Sequence, residues 1–257
     1  MDFDTPAVIV GMGEMGGSFA KGLLRLGHAV VPMLRGTPVA DVANRYPEPL
    51  LALVTVGEAD LDSTLAALPA AWKPNTGLIQ NELLPRDWLA RAVVNPTVAV
   101  VWFEKKPRRT ETPILPTPIA GRHAAMLVDA LAAIDVPALV VTDEADLLYE
   151  LVRKNVYIIA MNVGGLVSGG TTSDLWYNHR ALAEEVARDV ISVQEWLTGS
   201  SLNTDRYLSG LVEAIDARPD IGATGRSAPA RLARAISHAD HAGLAVPRLR
   251  RIAAKVL

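Results

Sequence analysis

The chain contains no cysteine, which excludes disulfides, thiolate metal sites and cysteine nucleophiles and fits a reducing compartment. Aromatic residues make up only 5% of its 257 residues, and its formal net charge is only -3. Because there is no basic excess, the composition predicts no nucleic-acid partner. Half of the residues are hydrophobic, which is enough to build a sizeable core.

Long apolar runs are also missing. No run reaches the roughly 18 residues of a membrane span without a charge, a glycine or a proline. The opening segment MDFDTPAVIVG begins with acidic residues and lacks the basic region of a signal peptide. We therefore expect a globular protein with no membrane partner and a cytoplasmic location.

The order of the expected elements divides the chain in two. In the first part, short apolar runs such as AVIV at 7–10 alternate with helical patterns, which predicts a Rossmann-type, doubly wound α/β sheet. The proline-rich segment ETPILPTPIAG predicts an edge strand or a loop. Further on, only helical periodicity remains. The sequence thus predicts a Rossmann-type domain over residues 1–142 and an all-helical domain over residues 143–257.

A glycine motif, Gly11-Met12-Gly13-Glu14-Met15-Gly16, directly follows the first expected strand and opens an expected helix. In this context Gly11 permits a tight turn, Gly13 lets the backbone approach a pyrophosphate, and Gly16 lets the helix pack closely on the strand. The helix N-terminus would add N–H groups and a partial positive charge. All six positions are therefore predicted cofactor contacts, and a glycine turn without a ligand is the alternative. Glu14 would repel a pyrophosphate unless its carboxylate points away.

The second expected strand ends in Met33-Leu34-Arg35. Dinucleotide-binding domains specific for NAD place an acidic residue here for the ribose hydroxyls, whereas an arginine suits the 2′-phosphate of NADP(H). The sequence therefore predicts NADP(H) as the cofactor, with Arg35 as a ligand. The alternative is a solvated surface arginine.

Two polar residues, Lys154 and Asn162, lie eight residues apart on an otherwise apolar expected helix. They differ by about 80° in direction and are roughly 12 Å apart along the helix axis, so both can border one cleft. A lysine beside a cleft is costly unless a partner or a task holds it there. The alternative is a lysine that extends from the helix end to solvent and an asparagine that bonds a helix terminus.

Two further groups of polar residues favour solvated surfaces. His238 and His241 lie three residues apart on a helix but lack a third ligand in a recognised spacing, so we predict no metal site. The run Lys105-Lys106-Pro107-Arg108-Arg109 predicts a solvated loop, with a place beside an anionic substrate as the alternative.

Several short motifs resemble, in order and spacing, those of the ketopantoate reductase family (2-dehydropantoate 2-reductases) of the 6-phosphogluconate dehydrogenase-like superfamily. VIVGMGEMG resembles its cofactor turn, and Leu78-Ile79-Gln80-Asn81-Glu82 resembles its "QNG" strand end with Glu82 in place of the glycine. The segment from Asp146 to Asn162 resembles the opening of its helical domain, and GLAVP at 243–247 its last turn. The likeness covers most of the chain, which would be a divergent member.

The resemblance implies an NADP(H)-dependent reductase of a small 2-oxo acid or related carbonyl compound. Lys154 would protonate the ketone oxygen, Asn81 would lie at the nicotinamide end near both cofactor and substrate, and Asn162 would hydrogen-bond the substrate. The expected site is a cleft between the two domains, and a homodimer is expected through the helical one.

Some family residues are replaced. Ile158 stands where the family has a second asparagine, Gly57 where it has a lysine, and residues 225–229 lack its glutamate. These replacements favour the alternative of a non-catalytic NADP(H)-binding sensor or regulatory protein, and they leave open a different reductase chemistry, such as reduction of an imine.

Overall fold

The computed structural model describes residues 5–257, which form two compact units, one up to Leu151 and one from Val152 to Leu257. This division lies inside a long helix, whereas the sequence pattern changes at Thr142. The two boundaries differ because the units are divided by packing, while the sequence shows only where strands give way to helices. None of the helices in 5–257 has the length and apolar character needed to cross a membrane.

The first unit is built on a seven-stranded sheet with the strand order β2-β1-β3-β4-β5-β8-β9. Its strands are β1 (Ala7–Val10), β2 (Val30–Met33), β3 (Leu51–Val54), β4 (Thr76–Leu78), β5 (Thr97–Ala99), β8 (Thr117–Ala120) and β9 (Ala138–Val140). The two remaining strands, β6 (Phe103–Glu104) and β7 (Thr112–Pro113), form a separate antiparallel hairpin. Neighbours from β2 through β5 pair in parallel, and β8 runs antiparallel to β5. The predicted doubly wound α/β fold is confirmed.

The topology of this sheet marks a ligand-binding edge. From β1 the chain crosses to β2 on one side and then to β3 on the other, so the strand order reverses between β1 and β3. Open α/β sheets bind ligands at the carboxyl ends of the strands on either side of such a switch point. Because β2 is an edge strand, it also tolerates Pro32, which cannot donate a ladder hydrogen bond.

Helices and one buried core hold this sheet. The unit contains α1 (Glu14–Arg25), α2 (Val39–Arg45), α3 (Leu61–Ala67), α4 (Pro85–Leu89) and α5 (Ala124–Ala132), with short 3-10 turns at Glu58–Asp60 and Ala70–Asn75. Phe19 and Leu23 of α1 pack with Leu127 of α5 against the apolar strands. A Cβ at Gly22 would collide with the carbonyl oxygen of Ala130, so this glycine allows the two helices to approach closely.

The proline-rich segment corrects one prediction. Residues 111–121 were expected to form an edge strand or a loop, but they contain β8, which lies inside the sheet between β5 and β9 with all four residues buried. Pro118 fits because its carbonyl oxygen accepts from Val100 N at 2.8 Å, while Thr117 N donates to Pro137 O at 2.9 Å. Neighbouring residues therefore supply the hydrogen bonds that a proline cannot donate.

The second unit is helical, as predicted. The helices are α6 (Glu144–Ser168), α7 (Thr172–Asn178), α8 (Arg180–Thr198), α9 (Thr204–Ala217), α10 (Ala228–Ala242) and α11 (Pro247–Val256), and α6 begins in the first unit. Asp143 caps α6, since its Oδ1 accepts from Ala145 N at 2.7 Å and from Asp146 N at 3.2 Å.

Candidate functional site

The three glycines of the motif differ in what an added side chain would meet. Gly11 has φ +97°, and a Cβ there would lie 3.0 Å from Val56 Cγ1. A Cβ at Gly16 would collide with the carbonyl oxygen of Gly11 and lie 2.6 Å from Thr55 Oγ1. Gly13 differs, because no atom lies within 4 Å of an added Cβ. The backbone at Gly13 therefore faces space that a ligand can occupy.

The turn is fixed by a residue that sequence reasoning missed. The Thr55 hydroxyl donates to the carbonyl oxygen of Gly11, and Thr55 Oγ1 also lies 3.3 Å from the carbonyl oxygen of Val10. Thr55 is the first residue after β3, at the carboxyl end of the strand beside β1. Its place after a buried strand next to the glycine motif was the available signal.

The start of α1 is free to bind an anion. Its N-cap is Gly13, and no side chain caps the helix. The first N–H groups of a helix have no intrahelical partner, and the helix dipole adds partial positive charge there. The side chain of Met15 packs against the core, so only its backbone can reach a ligand. The residues present therefore fit the pyrophosphate of a dinucleotide.

A cavity of about 610 Å³, here called the switch-point cavity, lies beside this turn. Its walls come from the carboxyl ends of β1, β2 and β3 and from one side of α3. Arg35, for which the sequence predicts a contact with the cofactor, lines this cavity together with Asp60, which the sequence did not single out. Arg35 Nη2 lies 3.1 Å from Asp60 Oδ2, and the two side chains are 92% and 53% exposed.

A second cavity of about 570 Å³ lies under the β6–β7 hairpin and is here called the hairpin cavity. It shares Met12 and Gly13 with the switch-point cavity. Its other walls come from α1 and from the basic hairpin loop: Glu14, Gly17, Ser18, Lys21, Lys105, Arg108, Arg109, Thr110 and Glu111. The glycine turn therefore contributes to two cavities at once.

Lys105 neutralises the carboxylate in the phosphate loop. Its Nζ lies 3.2 Å from Glu14 Oε2 and also donates to the carbonyl oxygens of Lys106 at 3.2 Å and Arg109 at 2.5 Å. These three contacts use all three donors of the ammonium group. The repulsion expected between Glu14 and a pyrophosphate is offset by this ion pair.

Glu111 forms a second ion pair in the hairpin cavity. Its side chain is only 4% exposed, accepts from Ser18 Oγ at 2.7 Å and lies 3.6 Å from Lys21 Nζ. Burial alone raises the pKa of Glu111, but the hydrogen bonds and the positive charges of Lys21 and Lys105 outweigh it and lower the pKa below its usual value. Glu111 is therefore an anion at neutral pH, and it holds Lys21.

Asn81 lies just after β4, and its Nδ2 donates to Glu58 Oε1 at 3.2 Å. The walls of the switch-point and hairpin cavities do not include it. The neighbouring Glu82 has φ +62°, a backbone conformation that favours glycine. The backbone at Glu82 thus has the shape that suits a glycine, the residue expected here from the QNG resemblance.

Lys154 and Asn162 both lie on α6, as predicted, and both contact other residues of the second unit. Lys154 is 7% exposed, and its Nζ lies 5.7 Å from the centre of the Tyr157 ring, a cation–π distance. Asn162 Oδ1 accepts from the buried Arg231 at 2.8 Å, and its Nδ2 donates to Ala223 O at 3.1 Å. Asn162 therefore links α6 to α10, a role that sequence reasoning missed.

Comparison with known proteins places the fold. No protein-family model matches the chain, and no curated protein matches its sequence. A PanE/ApbA-family ketopantoate reductase from Ralstonia eutropha JMP134 aligns over 98% of this chain and 97% of its own, with a TM-score of 0.69 and 19% identity. This chain has the ketopantoate reductase fold. The resemblance expected from the sequence motifs is confirmed at the level of the fold.

Two other solved structures share this ketopantoate reductase fold. A dimeric ketopantoate reductase from Staphylococcus aureus aligns over 97% of this chain and 96% of its own, with a TM-score of 0.67 and 14% identity. D-Mandelate dehydrogenase, solved with NADH and anilino(oxo)acetate, has the same coverage values, a TM-score of 0.66 and 13% identity. Both likenesses extend over the first and the second unit.

Proposed function

We propose that this chain is an NADP(H)-dependent reductase of a small 2-oxo acid or related carbonyl compound. The observation that carries the proposal is the glycine turn, in which Gly13 faces free space and begins an uncapped helix beside the switch-point cavity. The structural neighbours solved as ketopantoate reductases and as D-mandelate dehydrogenase with NADH support the same class of chemistry.

In this proposal the cofactor is held by the first unit. The backbone N–H groups at the start of α1 bind the pyrophosphate, and the switch-point cavity takes the adenosine portion. Arg35 binds the 2′-phosphate after leaving Asp60, which costs little because an exposed ion pair of this kind is weak. Asn81 serves the nicotinamide end.

The chemical step is a carbonyl reduction. When bound, the reduced nicotinamide supplies a hydride to the carbonyl carbon. Lys154 gives a proton to the carbonyl oxygen, and its ammonium group lies at a cation–π distance from the Tyr157 ring. Asn162 bonds the substrate with the second N–H and the second lone pair that Ala223 and Arg231 leave unused.

Titration and turnover assays test this function. NADPH and NADH are titrated by nicotinamide fluorescence, and the oxidation of NADPH is then followed with a panel of 2-oxo acids. We expect NADPH to bind more tightly and Lys154→Ala to lower turnover by about 10²- to 10⁴-fold with little change in cofactor affinity. Lys255→Ala, at an exposed lysine near the end of α11, is the control.

Two results would contradict the proposal. If neither cofactor binds below about millimolar concentration, the dinucleotide site is wrong. If turnover is the same in the Lys154→Ala variant as in the wild type, Lys154 is not the general acid.

A second candidate function is an NADP(H) sensor without catalysis. The observation that favours it is Asn162, whose amide is already bound to Arg231 and Ala223. Tight binding of NADPH together with no turnover of any 2-oxo acid in the panel would favour this candidate.

We also propose that the chain forms a homodimer. The support is the dimeric ketopantoate reductase from Staphylococcus aureus, which shares the fold. Light scattering coupled to size-exclusion chromatography should give twice the chain mass of 27.5 kDa.

A further inference from the structure

Two exposed arginines that line the hairpin cavity form no ion pair with a carboxylate within residues 5–257. Its two carboxylates are already used, Glu14 by Lys105 and Glu111 by Lys21. Arg108 and Arg109 line the same cavity, and neither forms an ion pair in this part of the chain. The cavity therefore carries an excess of two positive charges, which suits an anionic ligand.

The backbone of the loop places Arg108 in a conformation unfavourable to it. Arg109 N donates to Lys106 O at 3.1 Å, which closes a turn with Pro107 and Arg108 at its centre. Arg108 has φ +62°, at the turn position where glycine is favoured after a proline. Such backbone strain persists where the surroundings hold it in place, and it is concentrated at ligand sites. The Lys105 ammonium stabilises this conformation because it donates to two carbonyl oxygens of the loop.

The position of the cavity indicates which anion it takes. A pyrophosphate is already served by the N-terminus of α1, which is uncapped. A dinucleotide with its adenosine portion in the switch-point cavity reaches its nicotinamide portion past Met12 and Gly13, the residues that the two cavities share. If the nicotinamide portion follows this path, the substrate meets it on the hairpin side of the turn. The planar guanidinium of an arginine matches the geometry of a carboxylate and can bind it through two N–H groups.

We infer that Arg108 and Arg109 bind the carboxylate of the substrate in the hairpin cavity, so that the enzyme selects 2-oxo acids over neutral ketones. This inference rests on the proposed reductase function and makes its substrate class more specific. It also gives the first unit a direct part in recognising the substrate.

The experiment compares charged and neutral ligands. Oxamate, a 2-oxo acid analogue that is not reduced, is titrated into the protein saturated with NADPH, and its ethyl ester is the neutral counterpart. The variants are Arg108→Gly, Arg109→Gln and the double variant. Lys106→Gln is the matched control, because it removes a charge from the same loop at a residue that pairs with Glu104 at 3.3 Å and does not line the cavity.

We expect the double variant to weaken oxamate binding about 10- to 100-fold, while binding of the ester and of NADPH changes less than about twofold. Lys106→Gln should bind oxamate as the wild type does. Arg108→Gly should also raise the melting temperature, because glycine adopts a positive φ without strain. A purely structural role for Arg108 would not combine higher stability with weaker oxamate binding.

Three outcomes would overturn the inference. Equal oxamate affinity in the wild type and the double variant would show that the arginines do not bind the carboxylate. A parallel loss of NADPH affinity would assign them to a cofactor phosphate instead. Wild-type protein that binds NADPH but not oxamate would contradict the inference alone, whereas wild-type protein that binds no NADPH would contradict the proposed function as well.

Discussion

The glycine turn of the first unit and the polar residues on α6 of the second unit differ in whether their hydrogen-bonding groups are already bonded within the protein. At the turn, Gly13 faces free space and the N-terminus of α1 is uncapped. On α6, Asn162 is bonded to Arg231 and Ala223, and the buried Asn155 donates to Gln194 at 3.0 Å. A site made from backbone is ready for its ligand, whereas side chains on a packed helix must divide their hydrogen bonds between structure and function.

The largest expected effect tests the structural role of Asn162. Asn162→Ala removes one acceptor of the buried Arg231 guanidinium, so the free energy of unfolding should fall by about 1–3 kcal/mol. Asn178→Ala, at an exposed asparagine that ends α7, should stay within about 0.5 kcal/mol of the wild type. Urea denaturation measures both. If the Asn162→Ala protein were as stable as the wild type, Asn162 would have no structural role, and the two regions would not differ in this respect.

At Gly13 of the glycine turn, a substitution should affect NADPH binding more than stability. Gly13→Ala meets no atom in the free protein, so stability should change by less than about 1 kcal/mol, while NADPH should bind about tenfold more weakly because the backbone can no longer approach the phosphates. Gly16→Ala should lose about 1–3 kcal/mol of stability, because its Cβ meets the Gly11 carbonyl. Gly222→Ala, at an exposed glycine of the second unit where a Cβ makes only an ordinary contact with Thr224 O at 3.8 Å, is the control. Unchanged NADPH affinity in Gly13→Ala would refute the role of this turn.

The smallest expected effects concern the Arg35–Asp60 pair. Arg35→Gln should weaken NADPH binding by about tenfold and leave NADH binding nearly unchanged, because only NADPH carries the 2′-phosphate. Asp60→Asn should strengthen NADPH binding by about two- to threefold, since it frees Arg35 and removes a negative charge from the cavity wall. Both effects should shrink as salt is added. Equal changes for the two cofactors would place the 2′-phosphate elsewhere.

Predictions from the sequence succeeded where the cause is local. The glycine motif, the strand before it and the helix after it are contiguous, and the surroundings of Gly11 and Gly16 explain the steric roles that the sequence predicts for them. The buried strand β8 was missed because Pro118 was judged by its own missing donor, whereas its neighbours in the folded sheet decide whether that matters.

The sequence by itself determined the doubly wound first part, the helical second part and the steric requirements of the glycine turn, because periodicity and glycine conformation act over a few residues. Only the tertiary structure decided that Lys105 neutralises Glu14, that Asn162 holds Arg231, and that Arg108 and Arg109 share a cavity with the turn. Charge pairing and burial depend on which distant segments meet, and no local pattern contains that information.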